Sequence, residues 1–196
     1  AHINIASRTL QMPSDRLATF CHQTILQHLS KDSKQENLIL SSLWLSVKTL
    51  GFLQFVSDET LKEVTSSLST LLKSLQKNSK IPRDTKNLLL GSVLSTLCMI
   101  SKSSGAKFEA QSLALLKDSL KSALNLITND ETNNWHIIDA VADVIDLSIS
   151  EPYGSAMRYH EAKMQLRSEK TVLLAIIDRI TPLTNHPNVM VRKSSW

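Results

Sequence analysis

Glycine and proline are scarce in this chain, with 4 and 5 occurrences in 196 residues, against an average usage of about 12% for the two together. Sandwiches, barrels and enzymes built on phosphate-cradling loops need many turns, and the shortage argues against all three. Aromatic residues make up only 5% and leucine dominates the apolar set, which points to an all-helical chain. The two cysteines, Cys21 and Cys98, show no CxxC spacing and read as buried, reduced thiols of a cytosolic or nuclear protein. No apolar run reaches about 18 residues, so no membrane span is expected. The opening AHINIASRTLQM lacks the basic flank and continuous apolar core of a signal peptide.

What is present is a globular composition, 42% hydrophobic and 20% charged, on a chain long enough to bury about 70% of its unfolded surface. Helical periodicity recurs from end to end. Ser14 before Asp15 caps a run with Leu17, Cys21, Ile25 and Leu29 at spacings of four. A second run, Glu36 to about Val56, is so rich in leucine that it is expected to be largely buried, with Gly51 marking a bend. Ser57 or Asp58 starts a third, whose Leu61, Val64, Leu68, Leu71, Leu72 and Leu75 form one stripe. Pro82 opens a fourth, from about Asp84 to Ser101, and Ser101–Gly105 reads as a turn. The fifth carries Phe108, Leu113, Leu116, Leu120, Leu124 and Ile127; the sixth carries Trp135, Ile138, Ala142, Ile145 and Ile149. After a break at 151–158 the pattern resumes before Tyr159 and runs to about Ile180. Pro182 and Pro187 bracket a link, and a further helix begins after it.

The expected fold is therefore all-α, with about seven or eight antiparallel helices. A closed bundle and a HEAT- or armadillo-like α-solenoid both fit. Helix-pair starts near 14, 58 and 106 give the period of HEAT repeats and favour the solenoid, a single segment of three to four helical hairpins over 1–196.

Catalytic chemistry is poorly provided for. None of the six histidines pairs at i, i+4, and the four glycines are isolated, so HExxH, GxSxG, GxxxxGK[ST] and GxGxxG are all absent. Asp139, Asp143 and Asp146 line one helix face and could hold a divalent ion; a solvated stripe opposite Ile138, Ala142 and Ile145 is the ordinary reading. No enzyme activity, metal or cofactor is expected. Charge says more. Residues 1–98 hold 11 Lys and Arg against 7 Asp and Glu, a net +4, whereas residues 99–196 hold 11 of each. The excess concentrates at Lys73, Lys77, Lys80, Arg83 and Lys86, a turn that could meet an acidic partner or nucleic-acid phosphates. No aromatic interleaves it, so nucleic acid is the less expected partner. A second basic row, Lys163, Arg167 and Lys170, repeats the spacing of the acidic one and could pair with it across a groove.

The segment YHEAKMQLRSEKTVLLAIIDRITPLTNHPNVMVR, Tyr159 to Arg192, resembles the TELO-two-interacting protein one family, a HEAT-repeat subunit of the TTT co-chaperone complex. The resemblance rests on Tyr159, Glu161 and Ala162, the apolar run Val172–Ile180, then His186, Pro187, Val191 and Arg192; SALNLITND, Ser122 to Asp130, extends it upstream. In this motif Pro187 suits the first turn of a helix, Val191 faces the core and Arg192 reaches a neighbouring repeat. The resemblance implies a non-catalytic scaffold in the cytoplasm and also the nucleus. Its partners would be the other two TTT subunits, chaperone machinery and client PI-three-kinase-related kinases of the mTOR, ATM and ATR class. A DNA-associated nuclear scaffold using the basic first half is the alternative.

Overall fold

In the computed structural model, residues 14–30, 36–53, 57–104, 109–129, 134–149 and 170–196 are described. Local sequence accounts for where many of the helices start and stop. The helix α3 (Asp58–Lys77) begins where the Ser57 hydroxyl accepts a hydrogen bond from Thr60 N at 3.3 Å, satisfying one of the donors that every helix start leaves open. It ends at Asn78, whose backbone N–H returns to the carbonyls of Ser74 and Leu75. Its buried residues are Leu61, Val64, Leu68, Leu71, Leu72 and Leu75, the stripe that the spacing predicts. Each such side chain taken fully out of water contributes about 1.5–3 kcal/mol, an upper value because a real unfolded chain already hides part of it.

The remaining described helices are α1 (Ser14–Ser30), α2 (Glu36–Gly51), α4 (Arg83–Ser104), α5 (Glu109–Asn129), α6 (Trp135–Ile149), α7 (Lys170–Ile180) and α8 (Val189–Ser195), with a 3-10 turn at Thr181–Asn185. Among the described residues there is no strand. Among the described helices every substantial contact joins elements at most two apart in this order. The even helices form one row, α2 on α4, α4 on α6 and α6 on α8; in the odd row α1 packs on α3 and α5 on α7. Contacts of α1 with α2, α3 with α4, α4 with α5 and α5 with α6 tie the rows together. This two-row, solenoid-like stacking joins buried residues of both rows in one hydrophobic cluster.

Helix α4 sits deepest, touching α2, α3, α5 and, most extensively, α6. Its residues Leu89 to Cys98 are all buried, and small ones let neighbours approach closely. A Cβ at Gly91 would lie 2.5 Å from the backbone oxygen of His136 on α6, which only glycine avoids. Thr96 Oγ1 donates to the Val47 carbonyl on α2 at 3.0 Å, the Trp44 indole N–H donates to Ser92 Oγ at 3.1 Å, and Ser95 Oγ donates to Asp143.

Several boundaries differ from the periodic reading. Helix α2 stops at Gly51, where Phe52 and Leu53 N–H turn back to Thr49 and Leu50. It also keeps an exposed face, with Leu45 57% exposed, because it is covered on only part of its circumference. Ser101–Ser104 continue α4, since serine is tolerated in a helix that tertiary contacts already hold. On α6 the buried face is Ile137, Ile138, Ala140, Val141 and Val144, while Ala142 and Ile145 are half-buried at its margin. Pro187 precedes α8: Asn188 is the cap, its Oδ1 accepting from Met190 N at 2.8 Å. Val191 is buried as expected. Among the described residues Arg192 bonds within its own turn and not to another repeat: its Nη1 donates to the carbonyls of His186 and Pro187 at 2.7 and 2.9 Å. The break expected at 151–158, with Tyr159, Glu161 and Ala162, lies outside the described residues.

Candidate functional site: a basic cleft at the turn between α3 and α4

The link between α3 and α4 is short and internally tied. Asn78 Oδ1 accepts from Lys80 N at 2.8 Å, the side-chain turn that asparagine favours. Two residues later Pro82 presets the backbone for helix entry, and its carbonyl accepts from Lys86 N at 2.9 Å. This local chemistry sets Lys80, Arg83 and Lys86 on the rim of one cleft of about 740 Å³. Its walls also include Gln76 and Ser79, Asn125 and Leu126 of α5, and Ile137 of α6. Leu90, Leu126 and Ile137 form an apolar floor. Asn87, only 6% exposed, brings an amide to the same space. Among the described residues, three cationic and no acidic side chains line it.

Of the basic residues singled out in the sequence, the fold therefore gathers Lys80, Arg83 and Lys86. Lys73 and Lys77 stand exposed on α3, outside the cleft wall. Asp139 and Asp143 are exposed on α6, but Asp143 also accepts a hydrogen bond from Ser95 of α4, so it is not a purely solvated group. Asp146 lies on α6, and its side chain is outside the described residues, as are Lys163 and Arg167 entirely. Lys170 is exposed at the start of α7, which packs on α5. Among the described residues no three His, Cys, Asp or Glu side chains come together as a metal-holding group.

The titratable groups elsewhere behave as packing groups. Burial pushes the Cys98 thiol up to about 12, the Asp143 charge acting the same way and the Ser119 hydroxyl opposing it; a thiol held protonated is a poor nucleophile. Burial raises Cys21 as well, with Ser46 opposing. The His136 imidazole is held below its ordinary value by burial, against the carboxylates of Asp139 and Asp84, with Lys48 adding to the depression. Its ring lies 3.6 Å, centroid to centroid, from that of Trp135.

Sequence reasoning missed the far walls of the cleft. Asn125, Leu126 and Ile137 come from helices some 40 or more positions along the chain, and nothing in their local pattern marks them. Asn87 did leave a signal, a polar residue at a core-facing step just before the leucine run of α4. No described helix is long and apolar enough to cross a membrane. Set against models of protein families, curated proteins and solved structures, the chain matches none of them.

Proposed function

We propose that this chain is a HEAT-repeat scaffold without catalytic activity, acting as the TELO-two-interacting subunit of the TTT co-chaperone complex. In that role it holds the other two TTT subunits and, with chaperone machinery, supports the maturation and stability of PI-three-kinase-related kinases. The family assignment and partners come from the resemblance of Tyr159–Arg192 and Ser122–Asp130. The observation that carries the scaffold role is the two-row stacking, in which each described helix packs on near neighbours, an arrangement that in solenoids presents extended surfaces to partners. Exposed apolar side chains support it: Phe20 and Leu45 near one end, Leu174, Ile177, Val189 and Met190 near the other, the kind of surface that marks protein contacts when it is contiguous.

Affinity purification of the full-length protein from its own cells tests this reading. Recovery of the other two TTT subunits is the expected result, and their absence from a purification that retains the protein itself rejects the assignment.

A further inference from the structure

We propose that the cleft between α3 and α4 docks an acidic segment of a partner protein, anchored by one apolar side chain. The inference rests on the scaffold reading and assigns it a contact site. Among the described residues, Lys80 and Lys86 have no carboxylate within ion-pair distance; Arg83 is already engaged and adds only to the local potential. Lys77 and Lys73 continue the positive track down exposed turns of α3, about 6 Å apart at their i, i+4 spacing. A chain-like anion can follow such a track, whereas a compact one cannot.

The interior of the cleft is not uniformly polar, and this selects among anions. Leu90, Leu126, Ile137 and the half-buried Ile81 offer an apolar surface below the cationic rim. Asn87, more than nine-tenths buried, brings its side-chain amide to the same space. An amide presents a donor and an acceptor together, matching the donor–acceptor pair of a peptide backbone. Among the described residues no aromatic side chain lines the space, so they offer a nucleic-acid strand no stacking platform. Carboxylates on the rim, a backbone at Asn87 and an apolar side chain on the floor use every part of the site.

The test is fluorescence anisotropy with the full chain and four labelled probes: a short glutamate-rich peptide with one central leucine, its serine-centred analogue, and single-stranded and duplex DNA oligonucleotides. The leucine peptide is expected to bind tightest, with affinity falling as salt rises. Replacing the exposed Lys80 and the half-buried Lys86 together, Lys80→Glu with Lys86→Glu, lowers that affinity at least about tenfold. Ile81→Ser weakens only the leucine peptide. Any of four results overturns the proposal: no peptide binding, equal binding of the leucine and serine peptides, an unchanged Lys80→Glu/Lys86→Glu variant, or tighter binding of either oligonucleotide. Thermal unfolding of each variant verifies its fold, and the rim variant decides the matter if Ile81→Ser does not fold. Failure here leaves the scaffold reading standing, because that reading depends on recovery of the TTT subunits.

Discussion

Helices α3 and α4 are consecutive and pack on one another, yet they are built on opposite plans. Helix α3 has two faces: six Leu and Val side chains buried in one stripe, with Lys62, Glu63, Lys73 and Lys77 in water. Its bonds to the rest of the protein are mostly dispersion and the release of water. Helix α4 is buried on every side from Leu89 to Cys98. It is hemmed in by four neighbours, and Ser92, Ser95 and Thr96 occupy buried positions where their hydroxyls meet polar atoms on α2 and α6. A helix with one neighbour row needs only a stripe, whereas one enclosed on several sides needs small residues and paired hydroxyls to let its neighbours close in.

Substitutions on the two helices can break this contrast. The largest effect is expected on the leucine stripe: Leu68→Ala, at a fully buried site, should cost about 2–5 kcal/mol from lost transfer energy and the cavity left behind. Chemical denaturation measures it, and a loss under 1 kcal/mol would mean that the stripe is not closely packed. Next is Gly91→Ala, whose Cβ would meet the His136 carbonyl 2.5 Å away. The strain, about 1–3 kcal/mol, outweighs the gain in helix propensity of about 1 kcal/mol, so denaturation should show a net loss. A more stable variant would show that α4 and α6 are farther apart than described. Thr96→Val keeps volume and removes the bond to the Val47 carbonyl, at a cost of about 1 kcal/mol by the same measurement.

The smallest effect is electrostatic. His136 is held below its ordinary value, chiefly by burial, so in the acid range the unfolded chain binds its proton more readily than the folded one. Stability from this group is complete above the unfolded value near 6.5 and is lost as pH falls through the lowered folded value. Thermal midpoints should therefore drop between about pH 7 and pH 5, and His136→Asn should flatten the slope. Because His28 is depressed too, some slope should persist in that variant. An identical slope in wild type and variant would sink the assignment to His136.

The contrast between the helices also explains what was legible beforehand. The stripe on α3 and its Ser57 cap can be read from spacing because an amphipathic helix records its environment in a 3.6-residue rhythm. The enclosed helix α4 has buried residues all round its middle, so its rhythm is weak and periodicity ends it at Ser101, short of its boundary at Ser104. The rotated buried face of α6 has the same origin: Ile137 and Val141 are buried, Ile137 beside Leu90 of α4 and Leu126 of α5, and which apolar residues of a strongly apolar helix lie innermost depends on its neighbours. The basic rim of the cleft was legible as a cluster of like charge within one turn region. Its floor and far wall were not, since contacts across dozens of residues leave no local pattern.

From its amino acids alone this chain was bound to be helical: too few turn residues for sheets, leucines at helical spacing, and capping residues between the runs. Backbone hydrogen bonding and side-chain spacing are local, and local order suffices for that much. Which helices lie together, where Gly91 admits a carbonyl, and how Lys80 and Lys86 come to face Leu126 and Ile137 were decided by packing. Burial is a property of the assembled rows, and no stretch of sequence holds it by itself.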